Sequence, residues 1–227
     1  MKTFTIGKKK IVLKEEWMVG FITTWIVGLL AHAYRFFNFL PIWDSIYNFT
    51  GVGSTYTLGR WFLGYAGLIT SMFDLPWING AFSLFYISIV VILLTEMFEI
   101  KNKGMIVLCA AIFVSFPTVV SSFAYMYTAD AYLLAFLLAT LAVYLTWCVK
   151  KWGTIAGMVC LAFAMGIYQA YATVAIVLVL LYIIRQFVIE KLDFLEAVRK
   201  DLKYLGMLVG GAVLYAVILK ITLIRYN

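Results

Sequence analysis

The sequence predicts an all-α, polytopic membrane domain that crosses a bilayer about seven times. Three observations carry that expectation. Hydrophobic residues make up 65% of the 227-residue chain and the mean hydropathy is +0.99, more apolar character than a water-soluble core accommodates. The apolar residues fall into runs that approach bilayer length, roughly 20 residues at 1.5 Å each. Lys and Arg residues sit between those runs instead of forming one basic face, so the net charge of +7 reads as a topological signal and excludes nucleic acid as a partner.

The chain is expected to form one membrane domain over residues 1–227. Residues 1–16 carry Lys2, Lys8, Lys9, Lys10 and Lys14, a basic amino terminus placed on the cytoplasmic side. The first apolar run, Trp17 to Tyr34, ends in bulky His32, Tyr34 and Arg35 rather than in small residues suited to cleavage, so it is expected to be an uncleaved anchor. Residues 35–76 follow as a long outer loop with interfacial helices. Within it, Leu58 to Phe73 is apolar but short, contains three glycines and has Arg60 near its start, features of an interfacial or re-entrant helix. The remaining spans are Trp77 to Phe98, Met105 to Val120, Ala131 to Val149, Thr154 to Tyr168, Ala170 to Ile184 and Leu205 to Ile224.

Charge decides whether Leu58 to Phe73 crosses. If it does not, Lys101, Lys103, Lys150, Lys151, Arg185, Lys191, Arg199, Lys200 and Lys203 all join the amino terminus on the cytoplasmic side, as basic loop residues do. If it does, they move outside. Residues 185–204 interleave Phe187, Leu192, Leu195 and Val198 with charges of both signs, which predicts an amphipathic connector on the cytoplasmic surface. Cys109, Cys148 and Cys160 show no metal-type spacing and are expected to be buried packing thiols.

Acidic residues are scarce on the outer side: Asp44, Asp74 and Asp130. Asp44 follows Pro41 and Trp43 in a stretch suited to a short surface helix, at the level of lipid headgroups. Asp130 lies at the mouth of a span, where it is either a helix-capping residue or a second carboxylate near Asp44. Asp74 reads as a turn residue before Pro76. Arg35 and Arg60 are the basic groups that an anionic headgroup would meet there, since guanidinium forks match phosphate. Trp61 is a candidate for stacking on a sugar, and Tyr168, Gln169 and Tyr171 are candidate cavity lining. His32, the only histidine, has no partner ligands for zinc and is assigned to packing. Asn48-Phe49-Thr50 matches a glycosylation acceptor pattern, a weak three-residue signal. No phosphate loop, dinucleotide fingerprint or nucleophile elbow is present.

The order of Asp44, Gly59-Arg60-Trp61, Phe116-Pro117, Asp130 and Tyr168-Gln169-Ala170-Tyr171 resembles the GtrII-type glucosyltransferases, polytopic enzymes of the GT-C class. The resemblance extends over the whole chain, although similar enzymes are usually about twice as long, and it implies the amino-terminal seven-helix module of that class. It further implies transfer of a sugar, glucose by analogy, from a polyprenyl-phosphate donor to a cell-surface polysaccharide or glycolipid at the outer face of a bacterial plasma membrane. Asp44 would be the catalytic carboxylate, with Asp130 assisting, and Arg35, Arg60, Trp61, Tyr168, Gln169 and Tyr171 would bind substrate. No cofactor is expected, and a divalent metal, Mg or Mn, is left open. A transporter or flippase component and a noncatalytic scaffold are the alternatives; nearly charge-free span interiors and the absence of internal repeats argue against the first.

Overall fold

The computed structural model describes residues 2–6, 9–47, 55–191 and 193–226; Asn48-Phe49-Thr50 falls outside them. The basic amino terminus forms an antiparallel hairpin, with β1 (Lys2–Ile6) paired to β2 (Lys9–Leu13). Beyond it, the regular elements among the described residues are helices. The helices are α1 (Glu15–Phe37), α2 (Trp43–Tyr47), α3 (Leu63–Ala66), α4 (Pro76–Met97), α5 (Lys103–Ser115), α6 (Pro117–Ser122), α7 (Met126–Cys148), α8 (Gly153–Ile167), α9 (Ala172–Arg185) and α10 (Phe194–Tyr226).

Sequence explains where these helices start and stop. Pro76 and Pro117 occupy first-turn positions of α4 and α6, where the missing N–H costs nothing. Pro117 also ends α5, because Phe116 before it is extended. The side chain of Asn102 caps α5 by accepting from the Met105 N–H at 3.1 Å. Inside the helices Thr24, Ser88, Thr95 and Thr146 each donate to the carbonyl four residues back, at 2.7–2.8 Å, which satisfies hydroxyls that an apolar medium cannot.

Contacts at the helix ends give the path of the chain. Lys14 pairs with Glu96 at 2.6 Å, and Lys103 pairs with Glu15, so α1 and α5 start where α4 ends. At the far end His32 bonds the Val114 carbonyl at 2.9 Å. Asn79 and Asp130 place the starts of α4 and α7 together. Arg185 meets Glu99 at 3.0 Å, and Tyr215 of α10 meets Gln169, just before α9. The chain therefore runs back and forth between two ends, by way of α1, α4, α5, α7, α8, α9 and α10.

By length and hydropathy, five helical segments among the described residues qualify as membrane spans: Glu15–Phe37, Pro76–Met97, Lys103–Cys148, Gln169–Glu190 and Arg199–Arg225. The count differs from seven for a physical reason. The 46-residue segment Lys103–Cys148 is broken at Phe116-Pro117 and doubles back as α5 and α7, and α8 has only 15 residues, about 22 Å of helix against a hydrocarbon core near 30 Å. Leu58 to Phe73 does not form a long helix; it contains only the four-residue α3 and turns in which Ser71 and Met72 have φ of 52° and 56°. Over residues 185–204, expected as an amphipathic connector, the described residues form the end of α9, a π-helical turn at Gln186–Glu190 and the start of α10 at Phe194.

α7 is central, packed on α4, α8 and α9, while α10 lies on α8 and α1 on α4 and α5. Buried Ala131, Ala135, Ala139 and Ala142 recur along α7, and such small residues let neighbouring helices approach in an apolar solvent. The outward surface is apolar instead of charged: Leu202, Leu205, Val209, Val213, Val217, Ile221 and Ile224 form an exposed stripe on α10. That distribution suits lipid. Cys109 and Cys148 also face outward, and only Cys160 is partly covered, so the thiols are not the buried set expected from their apolar neighbours.

Candidate functional site

A cavity of about 520 Å³ opens at the end of the domain opposite the Lys-rich loops. Its charged lining is Asp44 from α2 and Arg60 from the loop before α3. Around them stand hydroxyls. Thr118, Ser121 and Ser122 come from α6, Tyr125 from the turn before α7, Tyr127 and Tyr132 from α7, Tyr168 and Tyr171 from the α8–α9 corner, and Thr173 from the start of α9. Tyr127 lies within electrostatic reach of both Asp44 and Arg60.

Arg60 is held in an aromatic setting. Its guanidinium carbon lies 4.5 Å from the centre of the Tyr168 ring, a favourable placement for a cation on a π face. One terminal nitrogen is 3.5 Å from the Tyr132 hydroxyl, the outer limit of hydrogen-bond reach. Its buried Nε has no hydrogen-bond partner, and no carboxylate pairs with it, among the described residues. Tyr132, Tyr168 and Tyr171 complete the wall, with ring centres 5.6–6.3 Å apart. A cation flanked by hydroxyls and not engaged in an ion pair is arranged for an anion.

The loop bearing Arg60 is fixed from behind. Gly59 has φ of +78°, a left-handed conformation that favours glycine. A Cβ there would collide with the side chains of Gln169 and Tyr215. Gln169 Nε2 donates to the Leu58 carbonyl at 2.7 Å and to the Tyr215 hydroxyl at 2.9 Å. The Tyr215 hydroxyl donates in turn to the Gly59 carbonyl at 3.0 Å. On the other side of Arg60, the Phe62 N–H donates to the Gly166 carbonyl at 2.8 Å. Trp61 is buried against Ala162, Phe163 and Tyr215.

The residues expected from sequence therefore separate into groups. Asp44, Arg60, Tyr168 and Tyr171 converge on the cavity. Trp61 does not; it is 6% exposed and anchors the loop, out of reach of a sugar. Gln169 contacts the loop backbone. Arg35 donates to the Phe123 and Ala124 carbonyls at 2.8 and 3.0 Å and also to the Leu40 carbonyl, tying the end of α1 to the segment entering α7. Asp130 is 3% exposed and accepts from Thr70 at 3.1 Å and Asn79 at 3.2 Å; the structure does not bring it to the cavity lining. His32 packs on Phe36 and Phe123, the packing role expected of it.

Sequence inspection missed the hydroxyl wall, whose signal was the density of Ser, Thr and Tyr between Pro117 and Tyr132. It missed Tyr215 too, a single polar tip in an apolar helix. Among the described residues no group of three or more His, Cys, Asp or Glu side chains could hold a metal ion, and Asp44 is the carboxylate that the cavity offers.

A second cavity, of about 490 Å³, adjoins the first and shares Thr118, Thr173 and Val174 with it. Its other lining is almost wholly apolar, including Leu94, Phe98, Phe113, Phe136, Val177 and Leu181. It extends along α5, α7 and α9 towards the Lys-rich end. A polar chamber thus continues into an apolar trough.

A family model described as Glucosyl transferase GtrII matches residues 33–227 of the chain. No curated protein and no solved structure matches it.

Proposed function

Because the chain belongs to the GtrII glucosyl transferase family, we propose that it moves a sugar from a polyprenyl-phosphate donor to a cell-surface polysaccharide or glycolipid, as a GT-C-type glycosyltransferase. The observation that carries this reading is the shared cavity of Asp44 and Arg60, continuous with an apolar trough. A lipid-linked sugar has three parts, and each has a match here. The isoprenoid suits the trough, the phosphate suits Arg60, and the sugar suits the hydroxyl wall.

In the proposed reaction an acceptor hydroxyl attacks the anomeric carbon and its proton passes to the Asp44 carboxylate. The bond from that carbon to the donor phosphate breaks, and the electron pair leaves on the phosphate, whose charge Arg60 stabilises. One displacement inverts the anomeric configuration. No general acid is required, because a phosphate departs without being protonated. Asp130 supports the site through Thr70 and Asn79, which fix the turns between Arg60 and α4. By the positive-inside rule the Lys-rich end is cytoplasmic and the cavity faces outward, which fits a bacterial plasma membrane with the amino terminus inside.

The test is transfer of radiolabel from polyprenyl-phosphate glucose to membrane glycan. Asp44→Asn should lower turnover by roughly 10²-fold or more with little change in donor affinity. Wild-type turnover in that variant would remove Asp44 from the mechanism. Solute uptake into vesicles without any lipid-linked donor would favour a transporter instead.

A further inference from the structure

We propose that Gln169 and Tyr215 are positioning residues that form a latch on the Arg60 loop and thereby set the anion site; the proposal rests on Arg60 receiving the donor phosphate. Both N–H groups of the Gln169 amide are committed, one to the Leu58 carbonyl and one to the Tyr215 hydroxyl. That leaves neither for a sugar. The Tyr215 hydroxyl passes the chain on to the Gly59 carbonyl, so the two peptide carbonyls preceding Arg60 are gripped by one connected set of bonds. Gly59 makes room for it, since a side chain there would occupy the space of both partners.

The latch joins parts of the chain that are far apart in sequence. Tyr215 stands on α10, Gln169 at the α8–α9 corner, and the loop belongs to the first long connection. Tyr168, next to Gln169, carries the ring beneath the Arg60 guanidinium. The same corner thus fixes both the backbone and the head of Arg60. Neither Gln169 nor Tyr215 lines the cavity, so each acts through Arg60 and not on substrate.

Tyr215→Phe and Gln169→Leu remove the hydrogen bonds while keeping the volumes. Two measurements on the full chain in nanodiscs decide the matter: hydrogen exchange of residues 58–62, and affinity for farnesyl phosphate compared with uncharged farnesol. Each variant should speed exchange across the loop and weaken farnesyl phosphate binding by roughly tenfold, the scale of one lost hydrogen bond, with farnesol affinity unchanged. Because both act through one chain of bonds, the double variant should fall well short of the product of the singles. Equal weakening towards farnesol would mark general loss of structure and overturn the proposal. So would unchanged exchange in both variants, or faster exchange with full phosphate affinity. Arg60→Ala separates the two layers: if it binds farnesyl phosphate like the wild type, the phosphate role of Arg60 fails, while the exchange data still decide whether the latch exists.

Discussion

Gly59, Arg60 and Trp61 are consecutive, yet each meets a different environment. Gly59 lets the latch close, Arg60 enters the cavity, and Trp61 fills a cleft between α8 and α10. Residue type made Arg60 legible as a candidate, since few charged residues stand between the apolar runs at that end. Trp61 was not legible, because a tryptophan beside an arginine can stack on a sugar or fill a core, and only the position of Gly166 decides. Asp130 shows the same limit. Its place at a span mouth was visible, but its partners Thr70 and Asn79 lie 60 and 51 residues away. Asp130→Leu should leave the Asn79 amide without its acceptor, with Thr70 falling back on the Gly67 carbonyl at 3.3 Å, and destabilise the protein by about 1–3 kcal/mol, measured as a lower midpoint of thermal unfolding in detergent.

At the scale of elements, apolar runs predicted the helices well, because bilayer thickness and backbone satisfaction leave little choice. Their division was harder to read. Pro117 cuts one long apolar segment into α5 and α7, and the piece between them, α6 with the turn after it, supplies much of the hydroxyl wall. The end of α8 is equally constrained. A Cβ on Gly166 would lie 2.6 Å from the Trp61 ring, so the ring lies directly against the helix backbone. Gly166→Val should push Trp61 aside, at a cost of about 1–3 kcal/mol from overpacking, and should lower sugar transfer as the adjoining Arg60 shifts. Thermal unfolding and the radiolabel assay would report the two effects separately.

Across the whole molecule, charge is segregated by end. Lys14, Lys103, Arg185 and Lys200 are joined to Glu96, Glu15, Glu99 and Glu190 at one end, and the cavity occupies the other. The sequence contained this arrangement in the alternation of basic loops, which is why Asp44 and Arg60 could be expected at one end of the domain without any knowledge of packing. Orientation can be read directly. In a variant lacking Cys109, Cys148 and Cys160, a membrane-impermeant maleimide added to intact cells should label Ser121→Cys and leave Lys150→Cys unmodified; the reverse pattern would invert the topology.

For the lipid-linked donor proposed above, the apolar trough beside the hydroxyl wall has a kinetic consequence. A donor whose tail never leaves the leaflet reaches the enzyme by two-dimensional diffusion, so its mole fraction among lipids, rather than its amount per volume, governs encounter. Doubling the carrier phospholipid in a proteoliposome at fixed donor and enzyme should slow subsaturated turnover, and single-chain anionic surfactants should compete for the same berth.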